Sequence, residues 1–339
     1  MSSFCAIARS SRLHVMQRMA GASVAGMLAL SAAMIPSGAH AQATDWPTRA
    51  VTTVIGFAAG GNSDVLARLL TARMAEQLKQ PFVIEPRVGG GGTVAMRSVA
   101  QAEPDGYTMF FAAAPQIGVI PNIQKIGFDP LQALAPVSAF ATGPFLLVVN
   151  ASTPVSTVAE FVALAKTHTL NYGTGGAGSN SHLSTVLFAT RAGFEATNIP
   201  FRGTGPAMTA LIGGQIDFMF GNASDVVPQA DNGRLRIIAV AAEKRMKQLP
   251  NVPTVSETYP NTATPSWNGV MVPIKTPKPI IDKIAAQVIA AAHDPDIVDK
   301  LAKLGLEPDG NTAEEFAAQI KREQPQFDAA IKAAGLKQE

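Results

Sequence analysis

Cysteine is all but missing: Cys5 is the only one in 339 residues, and it lies ahead of an uncharged N-terminal run. Beyond that run there is no thiol, which excludes disulfides, thiolate nucleophiles and cysteine-ligated metals together. Histidine is nearly as scarce. His168, His182 and His293 are widely separated and show neither His-x-x-x-His nor His-Glu spacing, so neither metal nor cofactor is expected. No Lys-Ser or Lys-Thr follows a glycine loop, which removes the P-loop reading, and no Gly-x-Ser-x-Gly elbow supplies a hydrolase nucleophile.

What the N-terminus does contain is an export pattern. Arg9, Arg12 and Arg18 precede the uncharged stretch 19–35, Pro36-Ser37-Gly38 makes a turn, and Ala39-His40-Ala41 offers a small-x-small cleavage site. The glycines and serines of the stretch make it weak and short for a membrane span. No Arg-Arg pair precedes it and Cys5 lies upstream, so a cleaved Sec signal over residues 1–41 is expected, not a twin-arginine leader or a lipoprotein anchor. Cleavage leaves 298 residues (339 − 41) with 24 basic and 25 acidic side chains, a net charge of −1. Near-neutrality without a basic patch argues against nucleic acid or an anionic membrane as partner, and the length suits two domains.

The remaining chain alternates strand and helix signals. The β-branched run from Val51 to Phe57 leads through Ala58-Ala59-Gly60-Gly61-Asn62-Ser63 into a helical pattern ending near Leu78. A strand at 82–85, the loop Gly89 to Gly92, a helix at 93–102 and a strand at 108–112 follow. This spacing predicts βαβ units and a largely parallel sheet. The same order restarts with a helix at 157–166, a strand near 170–172 and the loop 173–181. A helix at 182–191, a strand at 197–201, the loop from Arg202 to Gly205 and a further strand at 216–220 complete a second α/β domain. After Pro279 the pattern is helical. Thr312 and Glu315 form a capping box for the last helix, which Pro325 should kink or divide. Terminal helices need a sheet to cover, so the chain is expected to return to the first domain over crossover strands near 134–147 and 267–273. Domain 1 is then 42–142 plus 268–339, and domain 2 is 143–267.

Turns around Gly60, Gly176, Gly203 and Asn222 are rich in Gly, Ser, Thr and Asn. A helix N-terminus offers unpaired N–H groups and a positive dipole end, and glycine lets an anion approach the main chain. Singly each turn suits an ordinary cap; four facing one cleft suit a ligand. The ligand-binding candidates are Phe57, Ala59, Gly60, Gly61, Asn62, Ser63, Asp64 and Gln116 from the first domain. From the second they are Gly176, Ala177, Gly178, Ser179, Asn180, Ser181, His182, Arg202, Gly203, Thr204 and Asn222. Gly173, Gly175 and Gly178 match a dinucleotide fingerprint, but Glu195 precedes the next strand instead of closing it, so that reading is set aside. Asp64 suits either a helix first turn or a loop brace, and Arg202 either solvent or the far carboxylate of a diacid.

In order and spacing these segments resemble the periplasmic receptors of tripartite tricarboxylate transporters, the Bug proteins. The resemblance covers Trp46-Pro47-Thr48-Arg49, Gly60 to Asp64, Glu85-Pro86-Arg87, Pro104 to Thr108, Asn171-Tyr172-Gly173, Gly178-Ser179 with Ser181-His182, Phe201-Arg202-Gly203, Gly213 to Asp217 and Leu249 to Thr254. It implies a type II periplasmic-binding-protein fold of two doubly wound α/β domains joined by crossover strands. It also implies a carboxylate held by main-chain amides and ordered water, and a two-subunit integral-membrane permease as partner; a monomer without catalysis is expected. Ala58-Ala59, Gly221 and Arg202 depart from the family pattern. A sensor for a membrane kinase and an exported hydrolase are the alternative readings.

Overall fold

The computed structural model describes residues 45–336; the export signal predicted over 1–41 lies outside them. Strand β1 (Val51–Ile55) is followed by α1 (Asn62–Leu78), β2 (Phe82–Pro86), α2 (Thr93–Ala100) and β3 (Thr108–Ala113). The short helices α3 (Ala114–Gly118), α4 (Ile120–Ile123) and α5 (Pro130–Ala133) lead to β4 (Leu134–Thr142) and β5 (Phe145–Asn150). Then come α6 (Val158–Thr167), β6 (Leu170–Thr174), α7 (Asn180–Ala192), β7 (Ala196–Pro200), α8 (Thr204–Ile212), β8 (Phe218–Asn222), α9 (Ala223–Asp231) and β9 (Leu235–Ala241). The chain closes with β10 (Trp267–Pro273), α10 (Lys278–Ala292), α11 (Pro295–Lys303), β11 (Glu307–Pro308) and α12 (Ala313–Ala333).

These strands make two sheets, ordered β11-β4-β10-β3-β1-β2 and β7-β6-β8-β5-β9. The expected parallel pairs are present: β1 with β2 and β3, and β6 with β7 and β8. The sheets are nevertheless mixed, not largely parallel. β10 runs antiparallel to β3 and β4, and β5 runs antiparallel to β8 and β9. The reason is the path between sheets. A strand arriving from the other sheet, without a crossover helix to turn it round, enters against the direction of its neighbours.

The two passages between sheets touch. Thr142 ends β4 and Gly143 follows it, Ser266 precedes β10, and the Ser266 carbonyl accepts hydrogen bonds from the Thr142 hydroxyl and the Gly143 N–H. Leu134, Val137, Phe140, Val270 and Val272 bury the crossover strands completely, so these passages are also core. α10 and α12 pack on β4, with Phe316 edge-on to Trp267 at a centroid distance of 4.8 Å.

α12 begins as its capping box directs, with Thr312 Oγ1 accepting from Glu315 N–H and Glu315 accepting from Thr312 N–H. Pro325 does not divide it: the helix is one segment of 21 residues. Only one ladder N–H is lost at a proline, and buried Phe316 and Ile320 before it and Phe327 and Ile331 after it hold both halves against the core. Strand β9, absent from the sequence reading, fills the second sheet's edge beyond β5.

Candidate functional site

Parallel strands deliver their following loops to one end of a sheet, so β1, β3, β6, β7 and β8 all discharge towards a single space between the two sheets. That space is a cavity of about 50 Å³, several times what one water molecule needs. Phe57, Gly61, Asn62 and Ser63 line it from the loop after β1, and Ser179, Asn180 and Ser181 from the start of α7. Gly203, Thr204 and Asn222 complete the predicted part of the wall. Phe57, Pro115, Phe145, Pro206 and Trp267 give it an apolar girdle, and none of its lining residues is charged.

Three of the helix ends at this cavity lack a side-chain cap. α1 begins on Gly61, α8 on Gly203 and α9 on Asn222, and none of the three has a side-chain cap. In their first turns Asp64 N–H is taken by the Gly61 carbonyl and Ala223 N–H by the Pro144 carbonyl, and the other N–H groups are left available to a ligand. α7 is capped by Ser179, whose Oγ accepts from His182 N–H at 3.4 Å while donating to the Gly176 carbonyl at 2.7 Å.

Side chains behind the wall shape the loops. Asp64 Oδ2 accepts from Gly60 N–H and from Arg68 Nε, both at 3.0 Å, and so braces the first loop. Ser181 Oγ accepts from Gly175 N–H at 2.9 Å and shares a 2.9 Å hydrogen bond with Ser179. His182 Nδ1 accepts from Gly178 N–H at 3.2 Å, and burial pushes its pKa down. Ser181 and His182 share no hydrogen bond; each accepts instead from a loop N–H. Gln116 Oε1 accepts from Ala113 N–H at 2.8 Å, and its side chain fills the space that a Cβ at Gly56 or Gly92 would occupy.

A hydrogen-bonded bridge crosses the cavity floor. Asn62 donates from Nδ2 to Asn268 Oδ1 at 2.8 Å, and its Oδ1 accepts from Ser224 Oγ at 2.7 Å. Asn268 belongs to β10 and Ser224 to α9, so one side chain joins a helix of the first sheet, the crossover strand and a helix of the second. Close backbone approach accompanies it: a Cβ on Gly205 would lie 3.5 Å from the Gly60 carbonyl oxygen. Thr204 Oγ1 donates to Asp225 Oδ2 at 2.5 Å, and Asn222 Nδ2 donates to both. Burial pushes the Asp225 carboxyl up, opposed by those hydrogen bonds.

Ala59, Gly60, Asp64, Gln116, Gly176, Ala177, Gly178, His182 and Arg202 do not line the cavity. Arg202 is exposed. Gly176 has φ +115°, so its place in the loop rests on backbone freedom. Among the lining residues absent from the sequence candidates, Trp267 and Asn268 come from β10 and Ser266 from the residue before it; the antiparallel course of β10 sets its first residues beside the last of β3. A buried amide in the otherwise apolar run from Trp267 to Pro273 was the available signal for Asn268. Ala58, Gly175 and Gly205 are further members of the predicted loops, Pro206 follows in α8, Ala113 and Phe145 come from the ends of β3 and β5, and Pro115 from α3.

Two α/β halves enclosing a small cavity, with open helix N-termini around it, define a solute-binding fold. The chain belongs to the tripartite tricarboxylate transporter family receptors, whose family pattern matches residues 66–336. A UPF0065 protein of Bordetella bronchiseptica is 34% identical over 298 residues, covering 88% of this chain and 89% of that protein. A solved Rhodopseudomonas palustris protein with adipate has a TM-score of 0.84 at 34% identity, covering 87% of this chain and all of that one. MatC from Rhodopseudomonas palustris, with bound malate, gives 0.78 at 33% identity over 85% of this chain and all of MatC.

Proposed function

We propose that this protein is a periplasmic receptor that captures a small carboxylate in the cavity and hands it to a two-subunit integral-membrane permease. The observation that carries the reading is the meeting of three uncapped helix N-termini on a wall without charged side chains. Such ends supply N–H donors and positive dipole potential to an anion, while a wall without carboxylates leaves the anion unopposed. Adipate and malate in the two related structures support the ligand class.

In this reading domain 1 is 42–142 with 268–339, domain 2 is 143–267, and the contacts at Ser266 mark the hinge. The bridge at Asn62 and the approach of Gly205 to Gly60 belong to the closed state, because they join the two halves directly. Among the described residues no helix is long and apolar enough to cross a membrane.

Native mass spectrometry of the protein as purified, followed by thermal melts with succinate, malate, glutarate and adipate, tests the assignment. A retained small acid, or a rise in Tm that grows with the concentration of one of these acids, is expected. Absence of both would overturn it.

A further inference from the structure

Asn222 occupies the N-cap of α9, where asparagine ordinarily turns its side-chain oxygen back to accept from the second or third N–H of its own helix. Here it makes no cap. Its Nδ2 is committed instead to Thr204 Oγ1 at 3.2 Å and Asp225 Oδ2 at 3.4 Å. Both atoms can accept, and two acceptors fix which end of the amide faces them. The amide oxygen is thereby turned the other way, on a residue that lines the cavity and retains slight exposure. No hydrogen bond within the described residues uses that oxygen, and it is not among the buried unpaired atoms.

The cavity is therefore polarised. The open helix ends offer N–H donors, which suit a carboxylate; the side chain of Asn222 adds a fixed acceptor beside them, which suits a hydroxyl donor. We infer that Asn222, positioned by Asp225, selects ligands that carry a hydroxyl group on the carbon chain beside the carboxylate. This rests on the carboxylate-receptor reading above and deepens it. A hydroxyl fits better than an ammonium group because no wall residue is acidic, and a buried cation without a partner on the wall is costly. Asn180 also has an unpaired Oδ1, but that oxygen is shut off from the cavity while its Nδ2 donates to the Pro265 carbonyl at 2.9 Å. Asn222 thus carries the selection.

The test is calorimetry on matched acids: succinate against malate and aspartate, and glutarate against 2-hydroxyglutarate and glutamate. For the chain length that binds, the hydroxy acid is expected to bind about tenfold more tightly than its unsubstituted parent, the size of one neutral hydrogen bond. The amino acid is expected to bind more weakly than the hydroxy acid. Asn222→Ala should bring the hydroxy acid down to the parent's affinity, and Asp225→Asn, which frees the amide to rotate, should reduce the ratio. Melting curves check that both variants fold, and the wild-type ratios stand whether or not they do. Equal binding of parent and hydroxy acid, or tighter binding of the amino acid, overturns the inference and leaves the receptor reading standing. Failure of all six acids to bind overturns the inference, and together with no retained acid and no rise in Tm with adipate it overturns the receptor reading as well.

Discussion

Three of the four longer helices that start at the cavity solve the problem of their first N–H groups differently from capped helices that start elsewhere. α6 opens on Thr157 with Glu160 closing the box, α11 on Asp294 accepting from Asp296 and Ile297, and α12 on Thr312 with Glu315. Each cap is worth about 1 kcal/mol to its helix. α1, α8 and α9 forgo that stabilisation at Gly61, Gly203 and Asn222. An open end is not by itself a mark of function, since α2 and α10 start uncapped on Gly92 and Pro277. What distinguishes the cavity is that three open ends share one enclosed space, so that a ligand anion can supply the missing acceptors.

The largest effect is expected where the two halves are kept from meeting. In Gly205→Val the added carbons run into the Gly60 carbonyl and the Gly61 nitrogen, which lie at 3.5 and 3.7 Å from a bare Cβ. Binding should weaken by about 10- to 100-fold, the equivalent of an overpacking cost of 1–3 kcal/mol. Because the ligand-free fold can relieve the clash by opening, Tm should change little, and small-angle scattering should show that added malate no longer reduces the radius of gyration.

Next in size is Asn62→Ala. It strips partners from buried Asn268 and Ser224 at once, a loss of about 1–3 kcal/mol. Calorimetry should show the loss mainly in ligand affinity, since the bridge forms only when the halves are together. If melting falls by the full amount and affinity is retained, the bridge is ordinary core.

Ser181→Ala sharpens the distinction between wall and support. Its hydroxyl is already committed to Gly175 N–H and Ser179, so the variant should lose about 1 kcal/mol in folding stability as well as affinity. A loss confined to affinity would make the hydroxyl a direct ligand donor.

The smallest effect is that of pH at His182. Its pKa in the folded protein is lowered by burial, so the unfolded chain binds the extra proton first. Stability contributed by neutral His182 is thus complete above the ordinary histidine value of about 6.5 and is lost as pH falls below it. Protonation of Nδ1 would also displace the Gly178 N–H. The melting curve of wild type should fall between pH 7 and 5 more steeply than that of His182→Gln. The raised Asp225 carboxyl has the opposite sign, gaining relative stability as it protonates, so the difference between the two proteins is the quantity to read.

Local chemistry made much of this fold legible. The β-branched run at Val51, the glycine turn at Gly60 and the Thr312–Glu315 box each act within a few residues, and the corresponding strand, turn and helix stand where they were expected. Strand direction at β5 and β10 was not legible, because it depends on how the chain passes between sheets. For the same reason Trp267 and Asn268 were absent from the candidate wall: they reach it from the far end of the domain order. Arg202 shows the converse limit, since charge beside a glycine loop suggests a ligand partner but cannot reveal that its side chain is exposed. Pro325 marks the point where core packing overrides a local rule.

In the proposed receptor main-chain N–H groups, not a cationic side chain, hold the carboxylate. This is tested most directly by calorimetry of malate against malamide on the wild-type protein, with malate on Arg202→Ala as the comparison. Replacing carboxylate oxygen by NH2 would set donors against donors, so malamide should bind at least about 100-fold more weakly than malate, whereas Arg202→Ala should leave malate affinity within about twofold. Equal binding of acid and amide, or loss of malate binding in folded Arg202→Ala, would contradict the account.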